Sequence, residues 1–242
     1  MPRSADASQV APRPEHHHRD VRGGTARAAV FGVSDGLVSN VSLILGVAGA
    51  SPGAGVVRLA GLAGLIAGAV SMSAGEYVSM KAQNELLQRE LDIERRELRR
   101  NPHVETVELT QIYQSRGVDP DRARQLAEDM MRDPDVALET HAREELGIDP
   151  NQLGSPEGAA VASFVAFAVG ALVPLLPWFF GSGVAATVSS VALGFVACAV
   201  VGASLARFTG KSTLFSATRQ VVIATIAGGV TFLIGNLVGV GV

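Results

Sequence analysis

Asp35 lies inside a run of apolar and small residues, RAAVFGVSDGLVSNVSLILGVAGA (27–50). At helical rise it falls about 12 Å beyond Arg27, so a bilayer-crossing helix would carry a carboxylate at membrane depth. Such a charge is costly unless it faces a cavity, a cation or a partner; a packing hydrogen bond between helices is the plain alternative. Met72 precedes Lys81 in the next apolar segment, about 13 Å deep by the same rise. A methionine alone is core filler. At the depth of an intramembrane carboxylate it becomes a candidate thioether ligand for a transition metal. Glu76, one turn on from Met72, shares its helix face and extends the set towards water.

A second group of candidate ligands lies in the charged middle of the chain. Glu94 and Glu97, then Glu105 and Glu108, form two E-x-x-E steps. On an unbroken helix all four would fall within roughly an 80° arc, although Pro102 interrupts that helix. Two such steps have the carboxylate geometry of helical metal sites; a lone step reads as a solvated charged face. Met130-Met131, beside Glu128, Asp129 and Asp133, offers soft ligands or simply the buried stripe of its helix. The His16-His17-His18 run reads as incidental or weakly metal-attracting.

The elements that position these residues follow from hydropathy and punctuation. The chain has 242 residues, 48% of them hydrophobic, and 27 glycines, with a mean hydropathy of +0.29. This composition points to membrane insertion. Apolar runs predict five spans, about 27–50, 57–80, 158–180, 183–206 and 217–239. Pro174 and Pro177 should kink or end the third. The second continues without a turn signal into KAQNELLQRELDIERRELRR (81–100), where Glu85/Arg89 and Asp92/Arg96 are spaced for i,i+4 pairs. Asn101-Pro102 then restarts the chain as helices over 102–116, 120–132 and 135–146. No alternating strand pattern occurs. The expected organisation is a flexible arm over 1–26, too polar for a cleaved signal peptide. Transmembrane helices follow over 27–81, then a cytoplasmic helical metal-binding domain over 82–156 and transmembrane helices over 157–242.

Charge supplies the orientation. The net charge of −3 is unevenly spread. Arg3, Arg13, Arg19, Arg22 and Arg27, most of the central basic residues, and Arg207, Lys211 and Arg219 all fall on one side of a five-span layout, with Arg58 opposite. The positive-inside rule then places the N-terminus and the central domain in the cytoplasm and the C-terminus outside. A single cysteine, Cys198, excludes a disulfide framework and a multi-cysteine metal site. Phosphate-binding and nucleophile motifs are missing, so neither nucleotide-driven transport nor an enzyme is expected. Nothing suggests a nucleic-acid partner.

The segments RAAVFGVSDGLVSNVSLILGVAGA, GLAGLIAGAVSMSAGEYVSMKAQNEL, ALETHAREELGID and ALVPLLP resemble the vacuolar iron transporter family, whose bacterial members include iron and manganese transporters. The resemblance runs from about Arg27 to the C-terminus. It implies an all-α integral membrane protein, a homodimer of five-span subunits exchanging a divalent cation for protons. Asp35 and Met72 would line the path, with Glu76 as the glutamate of the second-span motif. Glu94, Glu97, Glu105 and Glu108 would correspond to the family's cytoplasmic glutamates and Met130 and Met131 to its methionine pair; Asp133 is the nearest match to the acidic ligand that follows. The expected function is export of Fe²⁺ or Mn²⁺ from the cytoplasm by metal/proton antiport across the cell membrane. No permanent cofactor is expected. The alternative is a membrane-anchored metal buffer or sensor that does not translocate.

Overall fold

The computed structural model describes residues 24–50, 53–147, 149–150 and 153–239, and among these no strand forms. The arm expected over 1–26, with its histidine run, lies outside the described residues up to 23; residues 24–26 are the first turn of a helix. The apolar runs form α1 (Gly24–Gly49), α2 (Ala54–Arg100), α6 (Pro156–Leu175), α8 (Gly183–Thr209) and α9 (Thr213–Gly239). Each is long and apolar enough to cross a membrane, which makes this an all-α integral membrane protein. Between α2 and α6 lie three shorter helices: α3 (Pro102–Ser115), α4 (Pro120–Met130) and α5 (Pro134–Glu144). One turn of helix, α7 (Pro177–Phe180), separates α6 from α8. Pro174 is tolerated inside α6, and the span ends at Leu175, just before Pro177. The third span is therefore shorter than the apolar run suggested, because proline removes a backbone donor and clashes with the preceding turn.

α2 is a single helix of 47 residues, about 70 Å long. Its first half is apolar and its second half is charged, with no break between them. It ends where Pro102 forbids continuation. Asn101 occupies both its C-cap and the N-cap of α3, without a side-chain capping bond. The next two helices are better capped. Asp119 accepts from the backbone N–H groups of Asp121 and Arg122, and Asp133 from those of Asp135 and Val136. Asp92 pairs with Arg95 one turn along α2, rather than with Arg96.

α1 is the axis of the bundle, packing against α2, α6, α8 and α9. Its approach to α6 is close because glycines face backbone. A Cβ on Gly36 would strike the Phe167 carbonyl, and one on Gly170 would strike the Val33 carbonyl. Gly64 and Gly68 likewise receive Leu43 and the Phe167 ring. Both small-xxx-small patterns thus pack helices within one chain. At one end of the bundle Ile44, Val57, Leu175, Trp178 and Ala186 form a core; at the other, Ala28, Met80 and Ala159 do. Asn84 Nδ2 donates to the Gly154 carbonyl at 2.8 Å, clamping α2 to the chain entering α6 where the long helix leaves the bundle.

Candidate metal sites

The first site lies between α1, α2 and α6. Asp35, Ser39 and Asn40 from α1, Gly64, Ser71 and Met72 from α2, and Phe167 from α6 are among the residues lining a cavity of about 330 Å³. Ser39 Oγ donates to Asp35 Oδ1 at 2.9 Å, one turn along the same helix. Met72 packs half-buried against the cluster of Ala69, Phe167 and Ala171 and lines the same cavity as Asp35. Asp35 and Ser39 are exposed on the single chain. The wall they form is therefore open on one side. Glu76 is not among the cavity residues. Its Oε2 lies 3.6 Å from Arg27 Nη2, an ion pair joining the start of α1 to α2 about one turn from Met72.

The second site lies where α5 packs back against the polar half of α2. Leu91, Leu138 and Ala142, with Leu98 beside them, form the apolar contact. Glu94 and Glu105 are buried at 4% and 5% exposure, and His141 is fully buried. One ligand atom from each lies within 4.8 Å of the others. His141 Nδ1 stands 3.2 Å from Glu94 Oε1, 3.8 Å from Glu105 Oε2 and 3.7 Å from Glu145 Oε2. Neither ring nitrogen of His141 has a well-aligned hydrogen bond, nor does Glu94 Oε1. Buried polar atoms are normally paired. His141 Nδ1 and Glu94 Oε1, both unpaired, face each other beside the Glu105 carboxylate, a donor set with the chemistry of a cation site.

Electrostatics show what holds the site together without a cation. Burial, then the charge of Glu94, raises the Glu105 carboxyl above its ordinary value of 4.5. Burial, then Glu94 and Glu108, does the same to Glu145. Burial opposes the charged form of His141, but the Glu94, Glu105 and Glu145 carboxylates outweigh it and raise the imidazole above 6.5. The folded cluster therefore binds protons more tightly than the free side chains do, and a divalent cation would compete with them. Glu97 and Glu108 are exposed and add to the negative field around Glu105, forming a rim rather than the centre.

The remaining sequence candidates sit elsewhere. Met130 ends α4 and Met131 is its C-cap. Asp133 begins α5 as its N-cap, with a carboxylate oxygen engaged by two backbone N–H groups. That corner is at the opposite end of α5 from His141, about 12 Å away along the axis. The structure brings His141 and Glu145 to the site in place of these three. The available signal was local. His141 occupies a position of the buried stripe Ala137, Leu138, His141, Ala142, and Glu145 follows it by one turn.

An integral membrane protein with a carboxylate-lined cavity among its spans and a buried carboxylate–imidazole cluster outside them is the class that fold and sites define. Residues 26–236 match the VIT family. Vacuolar iron transporter 1 of Oryza sativa subsp. japonica is 32% identical over 230 residues, covering 93% of this chain and 91% of its own. The vacuolar iron transporter of Acanthamoeba castellanii is 37% identical over 220 residues, 88% of this chain and 78% of its own. Vacuolar iron transporter 1 of Arabidopsis thaliana is 29% identical over 226 residues. The chain belongs to the VIT family, which groups it with transporters and not with enzymes.

Proposed function

We propose that this protein transports a divalent metal cation, Fe²⁺ or Mn²⁺, out of the cytoplasm in exchange for protons. The observation that carries this reading is Asp35, a carboxylate about 12 Å into a membrane span, facing a cavity shared with Met72. Relatives named as iron transporters support the cargo. In this reading the polar domain faces the cytoplasm, and Glu94, Glu105, His141 and Glu145 capture metal there, with Glu97 and Glu108 drawing it in. The cation then passes Glu76 to Asp35 and Met72. Each carboxylate must be deprotonated to bind, so capture releases protons and supplies the coupling. The imidazole favours Fe²⁺ over Mn²⁺, which suits an all-oxygen site better.

The exposed position of Asp35 and Ser39 supports a homodimer. A second copy lying against this face would close the open cavity and spare the carboxylate from lipid. The basic residues favour the cell membrane with the N-terminus inside. The buried carboxylate–imidazole cluster also fits a second reading, a membrane-anchored metal buffer.

Proteoliposomes containing the full-length protein and a pH-sensitive dye separate the two. Transport predicts Fe²⁺ entry with an opposing proton flux, both lost in Asp35→Ala, while metal binding by the polar domain persists. Binding with no flux in the wild type would leave only the buffer.

A further inference from the structure

Asn40 is 2% exposed within α1, and its side chain is satisfied at one end only. Nδ2 donates to the Ala171 carbonyl of α6 at 2.6 Å. A carbonyl can only accept, so the nitrogen end of the amide must face α6 and the oxygen end must face away from it. Oδ1 has no donor. It lies on the α2 side, where a methyl built on Gly64 would stand 3.2 Å from it. Asn40 and Gly64 both line the cavity that holds Asp35 and Met72. An unpaired carbonyl oxygen in a membrane interior is expensive, because neither lipid nor a neighbouring backbone supplies a donor.

Position along the helices adds a second argument. Asn40 is five residues beyond Asp35 on α1, about 7.5 Å further from the Arg27 end. On the antiparallel α2, Gly64 is eight residues beyond Met72, about 12 Å in the same direction. The cavity is thus charged at the end nearer Glu76 and neutral at the far end.

We propose that Asn40 Oδ1 is a neutral oxygen ligand for the cation as it leaves Asp35 and Met72, with the Ala171 bond aiming the amide. A carbonyl oxygen binds a divalent cation more weakly than a carboxylate, as onward release requires. This inference rests on the transport reading.

Initial rates of Fe²⁺ uptake against concentration, in proteoliposomes of the full-length protein, test it with Asn40→Asp and Asn40→Leu. Both variants lose the amide donor to Ala171, and only Asp keeps an oxygen. The ligand role predicts that Leu raises KM by about tenfold or more, whereas Asp, a stronger ligand, leaves KM at or below wild type and lowers the maximal rate by slowing release. A packing role predicts equal shifts in KM and equal losses of melting temperature. Equal shifts, or none in either variant, overturn the proposal. Should Asn40→Leu fail to fold, Asn40→Ala removes Oδ1 without added bulk; a KM raised well beyond that of Asn40→Asp supports the ligand and an equal one overturns it. A wild-type chain that carries no Fe²⁺ overturns the transport reading together with this inference, whereas transport insensitive to Asn40 overturns this inference alone.

Discussion

His141 Nδ1 lies 3.2 Å from Glu94 Oε1, with both side chains almost completely withdrawn from solvent. The contact joins α5 to the long helix α2, and among the described residues His141 is the group that offsets the charge of Glu94 and Glu105. Replacing His141 by Ala leaves two buried carboxyl groups facing each other. Loss of one partner from a buried ion pair costs about 3 kcal/mol, and metal affinity should fall at least about tenfold. Chemical denaturation of the metal-free protein and titration with Fe²⁺ measure the two effects separately.

The same cluster makes metal-free stability depend on pH. Glu105 and Glu145 have carboxyls raised above 4.5, and His141 has an imidazole raised above 6.5. In each case the folded chain binds more protons than the unfolded chain. The resulting stability is complete below the unfolded values and is lost as pH rises through the folded ones. Metal-free protein should therefore unfold at a lower temperature at pH 8 than at pH 5. Saturating Fe²⁺ should reverse the trend, since the cation replaces the departing protons. A melting curve taken with and without metal across that range decides it; a metal-free optimum near pH 8 would count against the cluster as drawn.

Asp35 and Gly36 are neighbours with opposite roles. Among the described residues Ser39 alone hydrogen-bonds the Asp35 carboxylate, so Asp35→Ala should change stability by under about 1 kcal/mol while abolishing transport. Gly36 faces the Phe167 carbonyl with no room for a side chain. Gly36→Val should cost about 1–3 kcal/mol or prevent folding, and transport should fall only in step with the folded fraction. Size-exclusion profiles alongside uptake rates distinguish the two.

The ion pair between Arg27 and Glu76 is exposed on the arginine side, where 67% of that side chain is accessible. Its contribution to stability is therefore under about 1 kcal/mol. If Glu76 receives cations, Arg27 competes with them, and Arg27→Gln should lower the KM for Fe²⁺ by up to about fivefold with an unchanged melting temperature. A raised KM would show that the arginine helps admission instead.

Met130 and Met131 close α4 at the corner remote from His141. Changing both to Leu should leave Fe²⁺ affinity within about twofold, because both lie at the end of α5 away from His141, and Leu keeps their volume. Asp133→Ala should cost about 1 kcal/mol through loss of the α5 cap, without altering metal affinity. Calorimetric titration of the two variants tests both statements.

Much of this was legible from residues alone. Uninterrupted apolar runs and the absence of turn residues around Lys81 are enough to place the spans and to make α2 continuous. Pro102 is enough to break it. The shared depth of Asp35 and Met72 follows from counting residues on antiparallel helices, and both line one cavity. His141 was not found this way. Its significance depends on α5 folding back onto α2 far along the chain, and a lone histidine in an apolar stripe does not announce that contact. Met130, Met131 and Asp133 attracted notice for their ligand types, yet Asp133 is spent on the helix cap that its sequence position demands. Proximity to a proline at the first helical position was the better clue.

The unbroken course of α2 sets the two sites in a fixed phase. Glu76 and Glu94 are eighteen residues apart on one helix, which is about five full turns and about 27 Å. They therefore point in the same direction from the axis, although one faces the membrane bundle and the other the polar domain. Deleting a single residue between them would rotate one site by about 100° relative to the other. Beyond the packing of Met80 and the Asn84 clamp, the segment from Met80 to Glu90 acts through its length, a gauge that no shortening by one, two or three residues can satisfy.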